Sequence, residues 1–262
     1  MSDFYMEFLK LIRFKDWFGG LISFLIPVIF LGAINSRAAM AAIAFCLVMA
    51  SVFIFNQYCD IDTDTNNEVK SKLPLTSGAI SKRMGLLIIL CFLTLGFGIA
   101  YSVDKTFFVL LVVLKMLGVL YSAYPFRLKS RPGFDIVANL LGMAVIPYLA
   151  GWSLIGDIKD VSMLLGAIII LVHVWAHILQ QVRDYEADKR ADLKTVVVFL
   201  GKKRSYHIAD ILVFISIALY ITACIYGPLN VEILIVSLAS IPFTLPLFYS
   251  IRRRRMHMNE AL

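Results

Sequence analysis

Long apolar runs separated by short polar ones organise this chain from end to end. They fall at about Trp17 to Ile34, Ala38 to Tyr58, Gly85 to Val103, Thr106 to Tyr121, Phe134 to Ile155, Val161 to Leu179, Ile208 to Tyr226 and Val231 to Ile251. Each approaches the ~20 residues that an α-helix needs to cross the hydrocarbon core of a bilayer. The pattern predicts an all-α polytopic membrane bundle of about eight transmembrane helices in one domain, residues 1–262. Breaker sequences at Arg131-Pro132-Gly133 and Gly227-Pro228 support two of the divisions. The first run follows Lys10, Arg13 and Lys15, as a secretory signal would, but it exceeds the ~7 to 15 apolar residues of a signal peptide and reads as a retained helix.

Composition agrees. The 262 residues are 60% hydrophobic and 16% charged, with a mean hydropathy of +0.82, outside the range of soluble domains. The net charge of +7 does not point to nucleic acid, because the basic residues lie between apolar runs and form no continuous stripe. Their placement is a topology signal: 21 of the 25 Lys and Arg residues lie in the N-terminus, in the loops after the second, fourth and sixth runs, and in the C-terminus with Arg252 to Arg255. Cytoplasmic loops hold such an excess. The expectation is a multi-pass protein of the cell membrane with an even number of spans and both termini cytoplasmic. Cys46, Cys59, Cys91 and Cys224 stand singly beside apolar runs and read as small packed hydrophobes.

The second and sixth runs each end in an unusual acidic series. Asn56, Asp60 and Asp64 recur every four residues, as do Asp184, Asp188 and Asp192. On a helix each series shares a face, while Asp62 points the other way. Carboxylates this close to membrane depth each cost about 2.5 to 3.5 kcal/mol at a helix centre and need a compensating cation. An all-oxygen donor set suits Mg²⁺, which uses a few carboxylates, waters and substrate phosphates. Two such ladders facing each other would make a metal site. The topology puts both on the cytoplasmic side, nearly half a chain apart, so helices one to four and five to eight read as two parallel four-helix repeats.

The spacing N-x-x-x-D-x-x-x-D followed by D-x-x-x-D, in an all-helical membrane chain, resembles the UbiA superfamily of intramembrane prenyltransferases. Supporting stretches are L-I-R-F-K-D-W at Leu11 to Trp17, L-P-L-T-S-G-A-I-S at Leu73 to Ser81 and Y-S-A-Y-P-F-R-L-K at Tyr121 to Lys129. Members commonly have nine helices, and Gln57 stands where many carry a second acidic residue. The resemblance implies that Asn56, Asp60, Asp64, Asp184 and Asp188 hold Mg²⁺ bridging to an isoprenoid diphosphate. It further implies that Lys129 and Arg127 contact the diphosphate, with Arg13 and Tyr121 from the supporting stretches in the substrate site; Lys72, just before the second stretch, is a further substrate-binding candidate. The reaction implied is transfer of a prenyl group to a lipophilic acceptor among membrane lipids. Acceptors of quinone-precursor, tetrapyrrole and glycerol-ether lipid type all remain open.

The residues themselves also leave other assignments open. Arg127 and Lys129 suit a plain positive-inside role as well as phosphate, and Lys189 and Arg190 are of the same kind. His173 and His177 share the face leading to Gln181, Asp184 and Asp188, and either line a pocket or simply join helices. Asp135 and Asn139 are similarly placed on the fifth run, and Lys115 lies inside the fourth. A tail-binding cavity is expected within about one helical turn of the carboxylates. The rival reading is a cation transporter with an acidic cytoplasmic-face site, which would instead spread its carboxylates near the midplane of several helices.

Overall fold

A computed structural model of the protein describes residues 2–30, 32–65, 70–131, 133–156, 160–190 and 195–226. The apolar run at Val231 to Ile251, the Arg252 to Arg255 series and Asp192 lie outside the described residues. The seven other apolar runs are helices. These are α2 (Phe14–Phe30), α3 (Ser36–Asp64), α4 (Lys82–Val103), α5 (Lys105–Ser122), α6 (Phe134–Trp152), α7 (Asp160–Arg190) and α9 (Lys202–Tyr226). Two further helices, α1 (Ser2–Ile12) and α8 (Val196–Leu200), fall in stretches that read as polar flank and loop. Six of the helices are long and apolar enough to cross a membrane, among the described residues. The chain forms two compact units, Met1–Val213 and Phe214–Leu262, and everything below concerns the first.

Capping explains where these helices start. Asn35 Oδ1 accepts the Ala38 N–H at 2.9 Å to open α3, Ser81 caps α4, and Asp104 caps α5 through the Phe107 N–H. Each satisfies an amide that the first turn leaves orphaned. Asp104 also pairs with Arg37 at 3.1 Å, closing the end of the bundle away from the ladders. Two helices overrun the membrane: α3 has 29 residues and α7 has 31, about 44 and 46 Å at 1.5 Å per residue. A hydrocarbon core of ~30 Å is shorter than either, and the aspartates lie in their last turns, past the apolar runs.

Packing around α3 is close because its inner face is small. Ala41, Ala44 and Ser51 are fully buried and let neighbouring helices approach. The core is aromatic at its centre, where Phe24 stacks on Phe45 at 4.9 Å and tilts against Phe107 at 5.9 Å. Helices α2 and α6 nearly touch at Gly151, where a Cβ would collide with the Phe24 carbonyl. A wide π turn, Leu141–Val145, interrupts α6 just before Pro147, whose ring lacks a donor and crowds the carbonyl four residues back.

Features of the first half recur in the second. Helices α2 and α6 each begin directly after a positive-φ residue, Arg13 at 54° and Gly133 at 80°, and each carries an internal proline, Pro27 and Pro147. Helices α3 and α7 each end in an acidic ladder. Each is followed by a loop that passes through a glycine at φ 80°, Gly78 and Gly201, into α4 and α9.

Candidate active site

Asp60 and Asp64 lie on the inner face of α3, with 5% and 7% of their surface exposed, while Asp62 faces out. That is the division the four-residue spacing requires. Asn56, one turn earlier, donates from Nδ2 to Ser122 Oγ at 3.0 Å, which ties the first ladder to the end of α5. The chain then turns through Arg127, in the left-handed region at φ 37°, into a 3₁₀ turn at Leu128–Ser130. This turn folds two cations back onto one carboxylate: Arg127 Nη2 lies 3.2 Å from Asp60 Oδ1, and Lys129 Nζ pairs with Asp60 Oδ2. The Arg127 guanidinium also sits over the Tyr124 ring, 4.9 Å from its centre. Burial holds the Lys129 ammonium below the usual lysine range, an effect that Asp60 partly offsets.

Lys70 stands over the ladder's outer end, 3.9 Å from Asp64 Oδ1. Its charge reaches Asp188 of the second ladder as well. Sequence reasoning named Lys72 in this loop and passed over Lys70; Lys72 is exposed. Arg13 pairs with Asp16 at 2.6 Å and lies over Phe53, and its charge reaches both Asp64 and Tyr121. On α7, Asp184 is exposed and Asp188 half-buried. Burial, then the charge of Asp184, pushes the Asp188 carboxyl up to about 6, against the pull of Lys70 and a hydrogen bond with Thr195. Tyr121, half-buried at the end of α5, feels Asp60, Asp135, Asp188 and Arg13 together. Both ladders therefore share one electrostatic neighbourhood.

The ladders do not close into a cage. Among the described residues no three His, Cys, Asp or Glu side chains gather at metal-holding distance, which departs from the expectation of two ladders meeting. Like charges repel, and Asp60 already has both oxygens engaged by cations. The donor set nonetheless fits Mg²⁺. Asn56, Asp60, Asp64, Asp184 and Asp188 offer oxygen ligands only, and Mg²⁺ needs one or two carboxylates at a time, with water and phosphate completing its octahedron. Lys189 and Arg190 are exposed at the end of α7.

Below the ladders a string of polar side chains joins α6 to α7. Gln181 Nε2 donates to Asp135 Oδ2 at 2.6 Å and lies 3.1 Å from His177 Nε2, while His173 Nε2 meets Asn139 Oδ1 at 2.9 Å. Gln181 was invisible as a hub in the sequence, where only its place on the histidine face showed. Lys115 is satisfied within the bundle: it donates to the Ser51 carbonyl at 3.1 Å and sits over Phe55. Deeper still, an apolar cavity of about 360 Å³ opens between α6 and α7, lined by Tyr148, Trp152, Met163 and Ile170 among others. Ile170 is 14 residues from Asp184 on α7, about 21 Å along the axis. This cavity thus lies well beyond a single turn from the carboxylates.

Comparison with known proteins places these features. The sequence model of the UbiA prenyltransferase family matches residues 17–261. A lycopene elongase/hydratase of Haloarcula japonica is 27% identical over 196 residues, covering 67% of this chain and 59% of that protein. A digeranylgeranylglyceryl phosphate synthase of Methanopyrus kandleri is 25% identical, over 66% of this chain and 62% of its own. The matched part is thus less than two thirds of either relative. In structure, a UbiA homolog from Archaeoglobus fulgidus, bound to GPP and Mg²⁺, is similar with a TM-score of 0.77 and 26% identity, covering 95% of this chain and 88% of that one. A family match over nearly the whole chain, a shared fold and two acidic ladders at one end of the bundle lead to one assignment: this chain belongs to the UbiA prenyltransferase family.

Proposed function

We propose that the protein transfers a prenyl group from an isoprenoid diphosphate to a lipophilic acceptor inside the membrane, as a single domain over residues 1–262. The observation that carries this reading is the pairing of Asp60 with Arg127 and Lys129. It sets two cations and a row of oxygen ligands side by side, the combination a metal-chelated diphosphate requires. Asn56, Asp60, Asp64, Asp184 and Asp188 would hold Mg²⁺, which when bound neutralises the diphosphate as it departs. Arg127 and Lys129 are mobile partners in this reading, moving from Asp60 to phosphate oxygens when the donor enters. Lys70 and Arg13 add positive charge around the same headgroup, Tyr121 and Asn56 line its inner side, and Lys72 remains at the rim. Once the donor is bound, cations already seated on its phosphates at the moment of bond cleavage are among the largest contributions to such catalysis.

The acceptor enters from lipid. Relatives named for digeranylgeranylglyceryl phosphate synthesis and for lycopene elongation make glycerol-ether lipids and carotenoids the first classes to test, with quinone and tetrapyrrole precursors after them. Cation transport is the weaker reading, since the four ladder aspartates stand at the outer turns of α3 and α7 and not at mid-membrane. The basic-residue bias supports a cell-membrane protein with both termini cytoplasmic.

The test is to incubate purified protein with labelled prenyl diphosphates and a lipid extract across a Mg²⁺ titration, then identify labelled products by mass spectrometry. Metal-independent transfer, or the absence of any prenylated product with every donor and acceptor class, would reject the proposal.

A further inference from the structure

Each acidic ladder is preceded by a buried glutamine, three residues before its first aspartate. Gln57 precedes Asp60 and is fully buried, and Gln181 precedes Asp184 and is 6% exposed. Each glutamine uses its carboxamide oxygen in the same way, accepting a backbone N–H from the chain that follows its own ladder: Leu75 N, in the loop before α4, to Gln57 Oε1 at 3.1 Å, and Val197 N, in the first turn of α8, to Gln181 Oε1 at 3.3 Å. After the first ladder, the returning loop brings Lys70 to 3.9 Å from Asp64; after the second, Thr195 caps the start of α8 by accepting the Val198 N–H.

The same unit therefore occurs twice: glutamine, aspartate, aspartate, and a returning loop that the glutamine pins. A buried carboxamide costs free energy that a leucine at the same place would not. Its use in both halves, for the same bond, is explained by what the pinned loop does for the outer carboxylate. The two units differ in one arm. Gln181 Nε2 also holds Asp135 and His177, so it fixes the start of α6 as well, whereas Gln57 Nε2 has no hydrogen-bond partner among the described residues.

We propose that Gln57 and Gln181 are a matched pair of positioning residues, which pin the chain returning after each ladder and thereby hold Asp64 and Asp188 in orientation. The proposal rests on the reading of the ladders as a metal–diphosphate site. Partners that orient metal ligands are typically worth ten- to a hundredfold in metal affinity.

The test compares near-isosteric substitutions in purified full-length protein. Gln57→Met removes the acceptor, and Gln57→Glu keeps it. The Mg²⁺ concentration for half-maximal prenyl transfer should rise about tenfold or more in Gln57→Met, with a much smaller fall in kcat at saturating Mg²⁺, and Gln57→Glu should restore most of the response. Gln181→Met should behave like Gln57→Met. Gln181→Glu should not rescue, because it sets a second carboxyl oxygen against Asp135. Equal Mg²⁺ responses in Gln57→Met, Gln181→Met and the parent, or equal impairment of Gln57→Met and Gln57→Glu, would overturn the proposal.

Hydrogen exchange on the unsubstituted protein keeps the test valid should a variant fail to fold. The Leu75 and Val197 amides should exchange slowly, and exchange of either at an open-loop rate would overturn the proposal. Asp60→Asn, assayed alongside, separates the two levels. If it is inactive while the glutamine variants match the parent, only the positioning role falls; if it is fully active, the metal–diphosphate reading falls and the positioning role with it.

Discussion

Asp60 and Asp188 illustrate how two carboxylates of the same type, one in each ladder, come to differ. Asp60 is buried and engaged by two cations, while Asp188 is half-buried with Asp184 as a neighbour. Replacing either by Asn keeps the volume and removes a ligand charge, so transfer activity should fall at least about a hundredfold, the scale of losing one well-placed electrostatic group. Steady-state assays at saturating Mg²⁺ would check this, and full activity in both variants would rule out the ladders as the reaction centre. Lys129→Ala should raise the KM for donor while leaving metal affinity without donor nearly unchanged. Asp188 also predicts a pH dependence. Its folded pKa of about 6 exceeds the 3.8 of an unperturbed carboxyl, so the ionised form lowers stability above pH ~6 and that cost fades as pH falls towards 4. Metal binding needs the ionised form. Calorimetric Mg²⁺ affinity should therefore weaken as pH drops through about 6, by up to tenfold per unit.

Among whole elements, the contact of α2 with α6 is the most exacting in the bundle. At Gly151 a Cβ would meet a backbone carbonyl, which cannot rotate aside as a side chain can. Gly151→Ala should destabilise the protein by about 1 to 3 kcal/mol, the usual cost of overpacking, and this outweighs the gain of up to ~1 kcal/mol in helix propensity. Gly19→Ala on α2 has open space around it and should be neutral or slightly stabilising. Thermal unfolding of both in detergent would read the difference. The length of α3 and α7 is the other decision at this scale, because it sets the aspartates in the last turns, past the apolar runs, where the proposed reaction needs them.

For the molecule as a whole, the alternation of basic loops predicts that tags at both termini report the cytoplasmic side, together with the ladders. Reporter fusions at residues 1 and 262 would check it, and opposite sides would mean an odd number of spans. Matched features in α2 and α6, and in α3 and α7, fit a repeat in which each half contributes one ladder. This also explains why the ladders lie far apart in sequence and close in charge.

Apolar period and charge placement determined seven of the helices, the membrane class and the face on which Asp60 and Asp64 sit, because these depend only on local geometry and on transfer from water. Helix ends were less legible from apolarity alone: the apolar runs stop at Tyr58 and Leu179, yet the helices continue to Asp64 and Arg190, as the four-residue spacing of the aspartates implied, since polar residues do not stop a helix that is capped and packed elsewhere. Amphipathic α1 looked like a charged flank, although Leu11 is fully buried against Ile54 and Leu75. The pairing of Arg127 and Lys129 with Asp60, the approach of Lys70 to Asp64, and the roles of Gln57 and Gln181 were decided only by tertiary structure. Each joins residues at least sixteen apart in sequence or depends on a loop's return path, except for Lys70, where a short loop of unpredictable course sets which lysine reaches the aspartate. Neither distance nor loop direction is written in local spacing; both follow from how long-range packing places one helix end against another.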